Sequence, residues 1–329
     1  MMDKKSKILV VAVNSGIATV IKNKLNKLGY TDVSALDSTK LDLMDKRVVF
    51  DFYMKNKPEY VICFLELQRY INSTNLADIM HETMEVYNNI IHDAYLCNVK
   101  RLLFLLEGSE ESDIVSVLVR NPNALSGDIQ SALFMLKNMG IQMCMAYNQQ
   151  YNTEFIPVVL TNYYGFTDDT LLKNDNILSL ITRIYQAKEM NEDNITVYVQ
   201  REVGSQYIYI DDLVDAIIYI MVNVKNINFI KLSSGERCKY IEVIDSIKKT
   251  IGYHGNIMIR LLEEDHRPCN IFVERQIFEL KWNAKVSLID GINYMYIDYR
   301  HDDTLIEKDK KEIEISKTVE SQKVAGPVC

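Results

Sequence analysis

Glycine is scarce in this chain. Twelve glycines in 329 residues is about half the ~7% share of an average protein. A protein that wraps its backbone around a phosphate depends on glycine most. Clustered basic residues are missing too. The net charge is −8 and the lysines and arginines are scattered, which argues against a nucleic-acid partner and an anionic membrane surface. Long apolar runs are absent: the one behind the leader MMDKKSK is too short for a signal peptide or a membrane span, so a cytoplasmic protein is expected. The six cysteines, at 63, 97, 144, 238, 269 and 329, show neither CxxC pairing nor regular spacing. They read as reduced, mostly buried thiols, with no metal site among them. No internal repeat is evident.

What is there is an alternation. Apolar runs at 8–13, 60–65, 102–106 and 155–161 are separated by helical spacings over 18–28, 75–97 and 128–149. Continuous apolar strands between amphipathic helices predict an α/β fold, a doubly wound parallel sheet covered on both faces. Beyond Gly165 the pattern loosens into helices over 177–188, 211–223, 240–252 and 286–297 and strands at 196–199, 207–210 and 256–260. Such a tail suits a smaller C-terminal α/β domain over the strand ends, of the kind that holds substrate. The expected division is 1–165 with about 206–235 in the first domain, and 166–205 with 236–300 in the second. The Lys/Glu-rich stretch 301–329, ending in SQKVAGPVC, reads as a charged, disordered tail.

The opening stretch KILVVAVNSGIATVIKNKLNKLGY is a strand turning directly into a helix, the place where a dinucleotide's pyrophosphate sits in such folds. The turn there needs glycine. It offers Ala12, Ser15, Gly16 and Ala18 instead.

The stretch KNMGIQMCMAYNQQYNTEFIPVVLTNYYGF at 137–166 is more specific, together with NVKRLLFL at 98–105 and YIYIDDLVDAIIYI at 207–220. These segments, with IGYHGNIMI and LKWNAKVSLIDGINYMY near the end, resemble the GDP-L-fucose synthases from about residue 6 to 300. Those enzymes are extended short-chain dehydrogenase/reductases of the NAD-dependent epimerase/dehydratase type, which epimerise and reduce GDP-4-keto-6-deoxymannose with NADPH. The resemblance implies a Rossmann-like first domain. It does not by itself imply activity, so each functional position is taken in turn.

Aligned on Gly29, the family's three turn glycines fall at Ala12, Ser15 and Ala18, with Gly16 one residue out of step. The alanine-rich turn after the next strand reads Phe64-Leu65-Glu66, its glycine pair falls near Arg69-Tyr70, and the arginine near the NADP 2′-phosphate is Leu36. Bulk and a carboxylate there oppose a pyrophosphate. Among the catalytic groups, Lys137 matches the lysine, while the tyrosine position is Leu133 and the serine position Glu107. Ser109 falls where the family's epimerisation cysteine lies, and is the nearest hydroxyl that could act. The histidine position is Asn176. Leucine has no proton to give and an amide is no base. Lys137, without its phenol, is expected to be a solvated helix lysine. The diphosphate arginine is Ser205, and basic positions near RPCNIF fall at Cys269 and Asn270. Asn162 and Arg183 remain as substrate contacts, and Asp211-Asp212 is expected to cap the following helix.

Losing the acid and its hydroxyl partner each costs ~10²-fold or more. The expected function is therefore that of a folded protein without the reaction or the cofactor: a pseudoenzyme acting as scaffold or partner subunit. Family dimers pair through helices that correspond to 75–97 and 128–149, so a homodimer or heterodimer through these is expected, with no nucleic acid and no membrane. One alternative is an active NADP-dependent epimerase/reductase with a diverged site. Another is a nucleotide-sugar sensor using Asn162 and Arg183.

Overall fold

The computed structural model describes residues 2–12, 15–37, 41–65, 67, 74–107, 129–165, 176–199, 205–225, 227, 229–234, 237–261 and 282–301. At its centre lies a six-stranded sheet. In it β1 (Ile8–Ala12) stands between β2 (Val33–Asp37) and β3 (Tyr60–Leu65), and β4 (Arg101–Glu107), β5 (Phe155–Leu160) and β9 (Ile230–Leu232) continue outward from β3. Every pairing in this sheet is parallel. β1 and β5 are buried at every residue and β4 at all but Glu107. Coverage of both faces is why these strands read as unbroken apolar runs rather than alternating ones.

The pleat sends side chains to two separate cores. Val10, Ile62, Phe64 and Leu105 point to the face with α1 (Ser15–Lys27) and α6 (Ile210–Asn223). Val11, Cys63, Phe104 and Leu106 point to the face with α2 (Lys46–Asn56), α3 (Leu76–Leu96) and α4 (Ile129–Tyr151). α4 lies close on β4 because residue 140 is glycine: a Cβ there would meet the Phe104 ring at 2.6 Å and the Tyr87 ring at 3.0 Å. Gly29, at φ +87°, ends α1, and the Tyr30 amide reaches back to the Leu25 carbonyl at 3.1 Å, a left-handed stop that suits glycine.

The C-terminal half supplies β6 (Asn162–Tyr164), α5 (Asn176–Glu189), β7 (Asn194–Val199), β8 (Ser205–Tyr209), β10 (Arg237–Cys238), α7 (Tyr240–Ile251), β11 (Asn256–Leu261) and α8 (Leu288–His301). β10, β8 and β6 form a small mixed sheet, and β7 pairs with β11 in parallel. Ile181, Ile247 and Tyr299 of these elements join the same core as Ile17 and Phe64, so one continuous core runs from the large sheet into the C-terminal half.

The strongly apolar elements match the sequence expectation to within a few residues. β2, α2, β6, β9 and β10 were not expected. Four of these are short strands, at most five residues long, too brief to establish a period. α2 did carry a start signal: the Asp45 carboxylate accepts the Arg47 and Val48 amides at 2.9 and 3.1 Å, an N-cap of ordinary strength. The expected tail beyond His301 lies outside the described residues.

Candidate active site

The chain leaves β1 for β2 on one side, then returns to place β3 on the other. In open parallel sheets that reversal leaves a crevice beyond the carboxyl ends of the two strands, and ligands enter there. Ala12 ends β1 in register with Phe64, and Phe64 is in register with Leu105. Two residues on, β4 ends at Glu107, beside Leu160 of β5.

At the phosphate turn, Ala12 is fully buried and Ala18 nearly so. Ser15 begins α1 and Gly16 follows in its first turn. Gly29, Gly165 and Gly252 are the described glycines with positive φ. Gly16, within the helix, therefore has a backbone conformation any residue can adopt. Leu36 is buried at the end of β2. Glu66, Arg69, Tyr70 and Ser109 lie outside the described residues, as do the side chains of Ser15 and Asn176, although Asn176 does begin α5.

The catalytic corner is better defined. Leu133, at the position expected for a phenol, is 3% exposed and packs among apolar neighbours of α3 and β4. One turn later Lys137 is half-buried rather than solvated, which corrects the expectation of an exposed lysine. Burial in this apolar setting pushes its amine below the usual lysine range, and the Glu107 carboxylate partly opposes that shift. Apolar residues on α4 carry Lys137 inward, and helical spacing alone could not tell this position from a surface one.

Sequence reasoning missed Tyr163. Its hydroxyl donates to Glu107 Oε1 across 3.4 Å, and its ring stands edge-on to Phe64 with centroids 5.9 Å apart at 71°. Tyr163 thus bridges the ends of β3 and β4 from β6. A three-residue strand carries no period of its own, so the sequence offered no signal for this residue. Glu107 and Tyr163 bring a carboxylate and a phenol together at the carboxyl end of the sheet, and the Lys137 amine feels the carboxylate's charge.

Arg183 forks onto Glu192 at 2.9 and 3.3 Å, so its guanidinium already has an anion. Asn162 is exposed and in register with Tyr207. Asp212 is buried and accepts the Lys285 and Val286 amides, both at 2.7 Å. It clamps the chain before α8 instead of capping α6, which corrects that expectation. His92 makes a 2.6 Å hydrogen bond with the Tyr147 hydroxyl. The described cysteines 63, 97, 144 and 238 are free thiols, two of them buried and two partly so. Among the described residues no cluster of His, Cys, Asp or Glu could hold a metal ion, and no helix is long and apolar enough to cross a membrane.

Comparison with known proteins is in keeping with this geometry. GDP-L-fucose synthase 1 of Arabidopsis thaliana is 28% identical over 90% of this chain and 94% of its own length. The GDP-L-fucose synthase of Escherichia coli K12 is 26% identical over 89% and 96%. A GDP-D-glycero-L-gluco-heptose synthase from Campylobacter jejuni, solved in the presence of NADPH, superposes with a TM-score of 0.76 at 26% identity, covering 91% of this chain and all of that one. A GDP-mannoheptose C4 reductase from the same organism, with NADP bound, gives 0.73 at 28% identity, covering 91% of this chain and 100% of that one. The family model described as NAD dependent epimerase/dehydratase matches residues 7–229. With more than half the chain matched, on this sheet and in this strand order, the protein belongs to the NAD dependent epimerase/dehydratase family.

Proposed function

We propose that this chain keeps the architecture of a GDP-sugar epimerase/reductase without its coenzyme-dependent chemistry, and acts as a scaffold or partner subunit. The observation that carries the reading is Leu133, 3% exposed at the place from which a phenol would protonate the developing alkoxide. The residues at the crevice fit a dinucleotide poorly. The buried Ala12 carries a Cβ where the backbone must approach phosphate, and Tyr163 lies against Phe64 over the ends of β3 and β4. The Glu107 carboxylate, at the position expected for the serine, would oppose the negative charge that develops on the substrate oxygen. In this reading α3 and α4 pair the protein with a second copy or with an active relative. Met84 and Met135, 39% and 44% exposed, lie along that helix pair.

Titration with NADPH, followed by nicotinamide fluorescence, tests this. No saturable binding up to millimolar coenzyme is expected, and a micromolar Kd would overturn the reading. The second reading, an active NADP-dependent enzyme on GDP-4-keto-6-deoxymannose or a related GDP-sugar, is favoured by Lys137, whose half-buried amine beside Glu107 is more than a surface remnant. The relatives named as synthases and reductases make it the alternative to exclude, and turnover of such a sugar with NADPH would establish it.

A further inference from the structure

We propose that Tyr95 and Tyr151 form an oxidative cross-linking site: one-electron oxidants couple their rings into a dityrosine that staples α3 to α4, with Tyr147 and His92 as the point where oxidation enters. The inference is independent of whether the crevice holds a coenzyme.

Helical spacing assembles the site. Tyr147 and Tyr151 lie one turn apart on α4, and His92 and Tyr95 one turn apart on α3, so each helix presents two aromatic residues near its carboxyl end. The Tyr95 and Tyr151 rings are stacked, with centroids 4.2 Å apart at 26°. The other tyrosine pairs among the described residues are tilted or edge-on, with centroids at least 5.4 Å apart. Tyr151 is 44% exposed and Tyr95 half-buried, so an oxidant in solution can reach the pair. Tyr147 stands 5.4 Å from Tyr95 and 5.6 Å from Tyr151, and its hydroxyl lies 2.6 Å from His92 Nδ1. With the imidazole protonated at Nε2, the phenol donates to Nδ1. Taking an electron from a phenol makes its proton strongly acidic, and an imidazole already in hydrogen-bond contact accepts it.

The electrons and protons balance. One equivalent of oxidant takes an electron from Tyr147 as its proton passes to His92. Tyr95 then gives an electron to the Tyr147 radical, the proton returns from His92 to Tyr147, and the Tyr95 phenol proton goes to water. A second equivalent oxidises Tyr151 in the same way. The two radicals form a C–C bond between ring carbons adjacent to those bearing oxygen, and the hydrogen on each bonded carbon moves to oxygen, which restores both rings. Two phenols and two equivalents of oxidant become one dityrosine, two protons and two equivalents of reduced oxidant.

The test irradiates the native protein with tris(bipyridine)ruthenium(II) and persulfate, then maps dityrosine by mass spectrometry over time. The chain has 20 tyrosines, so selectivity decides the outcome. The Tyr95–Tyr151 link should form roughly tenfold or more faster than any other, because contact within the fold replaces a chance encounter. Links forming at comparable rates at the exposed Tyr198 or Tyr294, or between copies through Tyr151, overturn the proposal. Tyr147→Phe and His92→Gln keep the stacked pair and should each slow the link roughly tenfold or more; unchanged rates also overturn it. The native reaction should run slower in D2O, since a proton moves with the electron, and His92→Gln should lose that difference, whereas a merely structural part for His92 would leave it in place.

Discussion

Strand β4 begins with one charged residue and ends with another, and the fold treats the two in opposite ways. Arg101, at the amino end, is 4% exposed. Its Nε and Nη2 lie on the Glu154 carboxylate, and its Nη1 donates to the Met221 carbonyl at 2.6 Å and more weakly to that of Ile220. Those carbonyls belong to the last turn of α6, where orphan acceptors and the negative end of the helix dipole favour a cation. Glu107, at the carboxyl end, is partly buried and faces a phenol and an amine across the crevice. At one end each donor has a geometrically fixed acceptor and the charge stabilises the fold. At the other, the Glu107 carboxylate and the Tyr163 phenol are joined by a long hydrogen bond of 3.4 Å.

That contrast can be broken most severely at Arg101. Arg101→Leu leaves the Met221 carbonyl without the guanidinium donor and Glu154 without its partner. Because a hydrogen bond to a charged group is worth about 1.5–3 kcal/mol and the Glu154 side chain, 42% exposed, is solvated when its partner goes, about 2 kcal/mol of stability should vanish, read as a lower urea midpoint. A substitution that costs less than about 1 kcal/mol would show that the fork is dispensable.

Asp93 sharpens the comparison by being the exception. It lies near the carboxyl end of α3, is 1% exposed, and neither carboxylate oxygen has a protein partner among the described residues. Desolvation raises its pKa, with His92 and Lys46 opposing. A carboxyl whose folded pKa lies above its unfolded value contributes most stability below the unfolded pKa and loses it as pH rises through the folded one. Asp93→Asn should therefore stabilise the protein by about 1–2 kcal/mol at pH 8, the scale of an unsatisfied buried polar group, with little gain at pH 4. Urea unfolding at both pH values measures it, and an equal effect at both would rule out titration as the cause.

At the carboxyl end the effects on stability are smaller. Tyr163→Val removes an edge-on aromatic pair and a long hydrogen bond, for about 1 kcal/mol. Glu107→Gln should change stability by less than that, since a half-buried amine relieved of its carboxylate can shed its proton. A loss above about 2 kcal/mol in thermal unfolding would instead mark Glu107 as a structural charge like Arg101. The double substitution Leu133→Tyr with Glu107→Ser restores the family's phenol and hydroxyl. Turnover should still be absent, because the phosphate turn is unrepaired, and NADPH oxidation in a spectrophotometer reads it directly.

Much of the fold was legible before any coordinates. The apolar runs that became β1, β3, β4 and β5 are buried on both faces and needed no partner to announce themselves. β2 and β9 are recruited to the sheet edges by their neighbours, and a five- or three-residue strand carries too little pattern of its own. At the site, Leu133 and Ala12 could be read as losses because the loss of a phenol or a glycine is visible in one letter. The state of Lys137 and the part played by Tyr163 could not. Both depend on which atoms lie opposite them across a crevice formed by segments dozens of residues apart.

The sequence by itself determined the layer order and the family resemblance, and it showed leucine and alanine where a phenol and a glycine were expected, because hydrophobic period and side-chain chemistry are local properties. Only the tertiary structure decided that Lys137 is half-buried, that Arg183 and Asp212 are engaged elsewhere, and that a phenol from β6 meets the carboxylate ending β4. Burial and proximity come from packing between distant elements, and through them a helix lysine becomes a half-buried amine of lowered basicity.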